Sequence, residues 1–185
     1  IKLIIYGDTP TAYALANMGS YLNYNCIICS TDSVEEKRLS ERVNIVNNFK
    51  SFSGNCAIVI ATQGKNDMEA LKSALSSKPN FISMIISRKK AVSITRQLKK
   101  LGISDDEVRK IKFPAGLSIN ANTPEEIAIS ILAELINERN SEDKNEQTIL
   151  EVIDNKKEID PICKMVVDPE NAADKFEFDG GMYYF

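Results

Sequence analysis

At 185 residues, with 43% hydrophobic and 26% charged residues and a formal net charge of -3, the chain has the composition of a globular protein with one ordinary domain and a small appendage. It contains no histidine, which excludes histidine-based catalysis and removes the usual nitrogen ligand from any zinc site. No stretch approaches the ~18 apolar residues of a membrane span and no secretory leader is visible, so no membrane is expected as a partner and the expected location is cytoplasmic.

Over residues 1–140, short apolar runs alternate with amphipathic stretches, the pattern of βαβ units around a parallel sheet. The run KLIIY at 2–6 predicts the first strand, and the following GDTPTA predicts a turn into a helix, with Thr9 as N-cap and Pro10 in the first turn. CIIC at 26–29, VNIV at 43–46, CAIVIA at 56–61 and FISMII at 81–86 predict further strands. These runs do not alternate polar with apolar, so helices are expected on both faces of the sheet. In KNDMEALKSAL, Met68, Leu71 and Leu75 recur at helical spacing; in RKKAVSITRQLKKLG, Ala91, Ile94, Leu98 and Leu101 do the same before Gly102 supplies a stop. NTPEEIAISILAELINERN carries the clearest helical signal. There Thr123 and Glu126 form a capping box around Pro124, while Ala128, Ile131, Leu132, Leu135 and Ile136 face the core.

After Asn140 the period is lost in SEDKNEQ, which predicts a linker over 141–158. Residues 159–185 form a small second unit in which DGG predicts a hairpin turn between KFEF and MYYF. That unit is shorter than the roughly 40 residues at which a domain folds alone, so it must dock, dimerise or be incomplete.

Cys26 and Cys29 form a C-x-x-C inside a predicted strand. A rise of ~3.3 Å per residue places their Cα atoms ~10 Å apart with the side chains on opposite faces, beyond the ~7 Å reach of a disulfide. They are read as core cysteines rather than as a redox or metal pair.

Ligands of a doubly wound sheet sit outside the carboxyl ends of its strands, which directs attention to GDTPTA, STD, TQGKND, SRKK and FPAGLSINANTPEE. A dinucleotide fingerprint G-x-G-x-x-G/A maps onto Gly7, Thr9 and Ala12. Thr9 brings a Cβ where backbone would approach a pyrophosphate, and Asp8 adds negative charge beside it. Ser30 or Asp32 stands where an acidic residue would bind ribose. A strand-to-helix turn with no ligand is the competing reading of this loop. TQGKND and SRKK gather Thr62, Gly64, Lys65, Asp67, Ser87, Arg88 and Lys89 at one sheet edge, a rim suited to a phosphate or an oxygen-rich ring. The competing reading leaves Arg88, Lys89 and Lys90 solvated at a helix start. Residues 88–112 carry nine Lys/Arg against three Asp/Glu, with no aromatic residue among them, so nucleic acid is not an expected partner.

Three stretches, ATQGKNDMEALKSAL, ISMIISRKK and PAGLSINANTPEEIAISILAEL, resemble in order and spacing the Rossmann domain of the XdhC/CoxI family, accessory proteins of xanthine dehydrogenase and related molybdenum hydroxylases. The resemblance covers roughly residues 1–140. It implies a Rossmann-like doubly wound α/β fold and a chaperone-like carrier that binds molybdenum cofactor and supports its insertion into the apo-enzyme. On that reading the cofactor site is the crevice of Gly7, Thr9, Thr62, Gly64, Asp67, Ser87, Arg88, Lys89 and Gly116. The chain departs from the family at Thr9 and Pro10, where glycine and histidine are usual, at Lys65 in place of a histidine, and at Ile86 in place of a glycine. Gly116–Ala121 represents the family's GLDIGA. The separate N-terminal domain of many members is not found in these residues, so the resemblance implies either that another polypeptide supplies it or that the chain is a diverged binder; a homo-oligomer is a further assembly in view. The tail, DPICKMVVDPENAADKFEFDGGMYYF, resembles part of a YHS domain, a module associated with metal handling, with Cys163 as a lone soft-metal ligand candidate. The alternative reading is an NAD(P)-binding oxidoreductase or redox sensor, whose proton-handling residue would be Lys65, Asp67 or Tyr6.

Overall fold

Strand β1 (Lys2–Tyr6) is flanked by β2 (Asn25–Ser30) and β4 (Cys56–Ile60) at the centre of a six-stranded sheet. Beyond β2 lies β3 (Asn44–Asn47), and beyond β4 lie β5 (Phe81–Met84) and the two-residue β6 (Ile111–Lys112). Every neighbouring pair is parallel, in the order β3-β2-β1-β4-β5-β6. This is the doubly wound, Rossmann-like α/β arrangement, with its order reversing between β1 and β4. The computed structural model describes residues 1–155, 158–159, 166–169, 172, 174–178 and 181–184. They fall into two compact units, Ile1–Ile136 and Asn137–Phe185.

The non-alternating apolar runs serve two cores, because successive side chains of a strand point to opposite faces. On one face Leu3, Ile5, Cys26, Ile28 and Val59 pack under α1 (Pro10–Tyr21) and the first turns of α5 (Pro124–Asn155), which contributes Ala128, Ile131, Leu132 and Leu135. On the other, Ile4, Tyr6, Cys29, Ile58 and Ile60 pack under α2 (Asp67–Ser76), α3 (Arg88–Lys100) and α4 (Asp105–Lys110) through Leu71, Ile94, Leu98 and Val108. Cys26 and Cys29 therefore serve different cores, as strand geometry predicts, and both are free thiols. Burial pushes each of them up to about 12, from an ordinary value of 9.0.

Between β2 and β3 the chain makes its crossover with a single 3-10 turn (Glu36–Arg38) instead of an α-helix. Helix α1 holds this connection directly. The Tyr13 hydroxyl accepts the Glu35 N–H at 2.8 Å, and the Arg38 guanidinium lies 4.6 Å from the Tyr13 ring centroid. The Asn17 carboxamide donates to the Arg38 carbonyl and accepts from the Ser40 N–H, both at 2.8 Å.

Two expectations need correction. Residues 141–155, read as part of a linker, continue helix α5 to Asn155. SEDKNEQ lacks apolar period, yet 141–155 holds no Gly or Pro, and Ile149, Leu150, Val152 and Ile153 return to helical spacing after it; extending a formed helix costs far less than starting one. Leu101, counted with the helical spacing of α3, lies just past its end at Lys100 and is 53% exposed. In the second unit β7 (Glu158–Ile159) pairs antiparallel with β8 (Val166–Val167). The expected strand pairing is present, β9 (Lys175–Phe178) antiparallel to β10 (Gly181–Tyr184) with Gly181 opposite Phe178, while residues 179–180 of the predicted DGG turn lie outside the described residues. Residues 160–165, with Cys163, lie outside the described residues. Among the described residues no helix is long and apolar enough to cross a membrane.

Candidate functional site

The carboxyl ends of the strands carry all the loops singled out by sequence, but the residues there have separate tasks. Gly7 leaves β1 at φ 127 with its N–H donating to the Cys29 carbonyl at 2.8 Å. A Cβ at this position would run into the Ala61 carbonyl, so close packing of β1 against the end of β4 accounts for the glycine. Thr9 is the N-cap of α1, its hydroxyl accepting the Ala12 N–H at 3.2 Å. Ser87 does the same for α3, accepting the Lys90 N–H at 3.3 Å. Both hydroxyls predicted for a ligand are thus engaged in starting helices.

Thr62, Gly64 and Asp67 do converge. The Thr62 hydroxyl donates to Asp67 Oδ1 at 2.5 Å and the Gly64 N–H donates to the same oxygen at 3.0 Å. Asp67 Oδ2 lies 2.6 Å from Lys90 Nζ. Asp67 is buried at 7% exposure, so its charge depends on these partners. Lys90, the third residue of α3, is the one of the three basic residues at this helix start that closes an ion pair here, and nothing in its spacing distinguishes it from Arg88 and Lys89. Around this knot, Lys65 Nζ pairs with Asp32 Oδ2 at 3.2 Å and the Asn66 carboxamide donates to the Thr31 hydroxyl at 3.2 Å. The loops after β2 and β4 are thereby tied together over the sheet edge. Asp32, the residue nearest the position of a ribose acceptor, is engaged by Lys65.

Arg88 and Gly116 converge elsewhere, in a cleft of about 290 Å³ between the first turn of α3 and the loop over 114–121. That loop has no regular structure, yet the backbone of its first half is held. The Ala115 N–H donates to the Met84 carbonyl at 3.0 Å, the Gly116 N–H to Glu134 Oε2 at 2.9 Å, and the Leu117 N–H to the Ser130 carbonyl at 3.2 Å. Gly116 has φ 93, and a Cβ there would collide with the Ser130 hydroxyl. At its end Glu126 Oε2 accepts the Asn122 and Thr123 N–H groups at 2.7 and 3.0 Å, and Thr123 caps Glu126 in return, completing the predicted capping box. Lys89 is exposed beside the cleft.

The three proton-handling candidates are poorly placed for that task. The Tyr6 hydroxyl is buried, donates to the Lys50 carbonyl at 2.6 Å, and is pushed far above its ordinary value by burial. Lys65 is an exposed ion-pair partner, and both oxygens of Asp67 are taken. Among the described residues no group of His, Cys, Asp or Glu gathers at metal-binding distance.

Comparison with known proteins adds lineage to this geometry. The family model described as the XdhC Rossmann domain matches residues 3–135. The chain is 34% identical over 84 residues to the uncharacterised protein YqeB of Escherichia coli strain K12, an alignment spanning 45% of this chain and 15% of that protein. It is 23% identical over 148 residues to a Bacillus subtilis strain 168 protein described as a probable xanthine dehydrogenase subunit, spanning 75% of this chain and 43% of that protein. A solved structure described as a xanthine dehydrogenase from Bacillus halodurans superposes with a TM-score of 0.63 at 26% identity, covering 76% of this chain and 43% of the other. The chain thus spans less than half the length of each relative.

Proposed function

Because the chain belongs to the XdhC family through its Rossmann domain, we propose that it is an accessory factor of a xanthine-dehydrogenase-type molybdenum hydroxylase. In this role it holds molybdenum cofactor, or a related phosphate-bearing ligand, for delivery to the apo-enzyme. The observation that carries the reading is how polar groups are divided at the carboxyl edge. The ionisable side chains over β4 are committed to one another, in the Asp67–Lys90 and Asp32–Lys65 pairs, whereas Arg88 has no hydrogen-bond or ion-pair partner among the described residues. A site of that kind is furnished to hold an anion and lacks a group poised to move a proton.

The residues fit a phosphorylated cofactor on this account. Arg88 and Lys89 would counter the phosphate, and the apolar lining of the neighbouring cleft would cover a ring system. When bound, the cofactor supplies the redox chemistry of the hydroxylase that receives it; this chain's own residues bind, orient and shield it.

Co-expression of the full chain with an apo-hydroxylase, followed by affinity purification and mass spectrometry of the released small molecules, tests the proposal. A molybdopterin-type compound is the expected result, together with higher hydroxylase activity when the chain is present. Tight NAD(H) with no pterin, and hydroxylase activity indifferent to the chain, would overturn it.

A further inference from the structure

We propose that the cleft between α3 and the 114–121 loop, rather than the crevice over β1 and β4, is the subsite for a single phosphorylated heterocycle, with Arg88 on the phosphate and Leu117 and Ile119 against the ring. This refinement rests on the ligand-holding role proposed above.

Three independent features of the cleft lead there. Three of its four polar side chains are unspent: Arg88, Ser118 and Asn120 make no side-chain hydrogen bond or ion pair among the described residues, while the Ser130 hydroxyl donates to the Ile127 carbonyl; Thr9, Thr62, Asp67, Ser87 and Lys90 over the sheet edge are all engaged. Its charge has one sign, because Arg88 is the one ionisable side chain that lines it and no carboxylate does; the nearby Glu134 is turned to the Gly116 N–H. Its apolar wall is exposed, Leu117 by 40% and Ile119 by 50%, although both line a concave surface. Two large exposed apolar side chains beside a free guanidinium match a flat ring bearing an anion, since the planar fork of Arg suits phosphate oxygens and the aliphatic surface suits a ring face.

Size and stiffness narrow the ligand. At about 290 Å³ the cleft lies at the small end of the roughly 300–1,000 Å³ range of ligand pockets, which suits a mononucleotide-sized molecule and is too small to enclose a dinucleotide. The loop bonds from Ala115, Gly116 and Leu117 to β5 and α5 tether the backbone that carries Leu117, and the Ile119 N–H donates back to the Leu117 carbonyl, which reduces the ordering needed on binding.

Isothermal titration of the full chain with GMP, guanosine and inorganic phosphate separates the two halves of the subsite. The native chain should bind GMP more tightly than either fragment. Arg88→Gln should weaken GMP about 10- to 100-fold, the range for one charge-assisted contact, and leave guanosine unchanged. Ile119→Ser should weaken GMP and guanosine together, and Lys65→Gln should change neither. Arg88 and Ile119 are surface residues, and circular dichroism of each variant verifies the fold. The assignment is overturned if GMP does not bind, if Arg88→Gln binds it as the native chain does, or if phosphate binds as tightly as GMP. Co-purification distinguishes this failure from that of the broader role. Pterin carried equally by the native chain and Arg88→Gln removes the cleft and keeps the carrier; GMP binding as expected with no pterin ever carried does the reverse.

Discussion

Asp67 offers the sharpest test of how the sheet edge is held. Replacing it with Ala leaves the hydroxyl of Thr62, a residue only 5% exposed, without its acceptor, at a cost of about 1–3 kcal/mol for a buried unsatisfied donor. The other partners lose less. The Gly64 N–H is exposed and regains water, and the Lys90 side chain is 41% exposed, so screening limits its pair to about 1 kcal/mol. Asp67→Ala should therefore destabilise the chain by about 2–4 kcal/mol. Thr62→Val removes the donor and should cost about 1.5–3 kcal/mol, the value of one hydrogen bond to a charged group. The double variant has no orphaned hydroxyl, so it should be about 1–2 kcal/mol more stable than the two single losses added together. Urea unfolding of the four full-length proteins, followed by far-UV circular dichroism at a common slope, reads these differences. Additivity to within about 0.5 kcal/mol would refute a direct Thr62–Asp67 interaction.

Two further outcomes can be checked on the same protein. Gly7→Ala forces a Cβ into the Ala61 carbonyl at a φ of 127, and should lower stability by about 2–5 kcal/mol or abolish soluble expression; an unchanged urea midpoint would count against the close approach of β1 and β4. The buried thiols of Cys26 and Cys29, pushed up to about 12 from 9.0, make stability fall with rising alkalinity, because the unfolded chain releases their protons first. The contribution is intact below pH 9 and declines from there towards pH 12, by about 1.4 kcal/mol per thiol at pH 10. The Cys26→Ala/Cys29→Ala variant should show a flatter profile between pH 9 and pH 11, and an unaltered slope would show that the thiols do not titrate differently in the two states.

The fold was readable wherever a pattern repeated over several residues. The five apolar runs and the capped starts at Thr9 and Thr123 all became the elements they implied, because burial on two faces and N-cap chemistry are local and strong. Strand β6 has two residues and no pattern to read. Helix α4 carried a legible capping box in Ser104 and Glu107, but its six residues bury only Val108. The candidate site was readable as a set of loops and not as a set of contacts. Arg88 and Lys90 are two residues apart on one helix, yet one faces a cleft and the other closes an ion pair with Asp67. That division depends on where the 114–121 loop and the β4 loop come to rest, and no spacing along α3 encodes it.

The edges of the sheet bear on self-association. On one side β3 spans four residues and begins and ends in exposed asparagines, Asn44 and Asn47; on the other β6 offers only Ile111 and Lys112. Neither margin presents the long, flat, apolar row of open amide and carbonyl groups on which a second molecule's strand could build a continuous ladder. If copies of the Ile1–Ile136 unit meet, the contact must come from side chains on helices and loops, and edge-to-edge growth into fibrous assemblies has no template to start from in this unit.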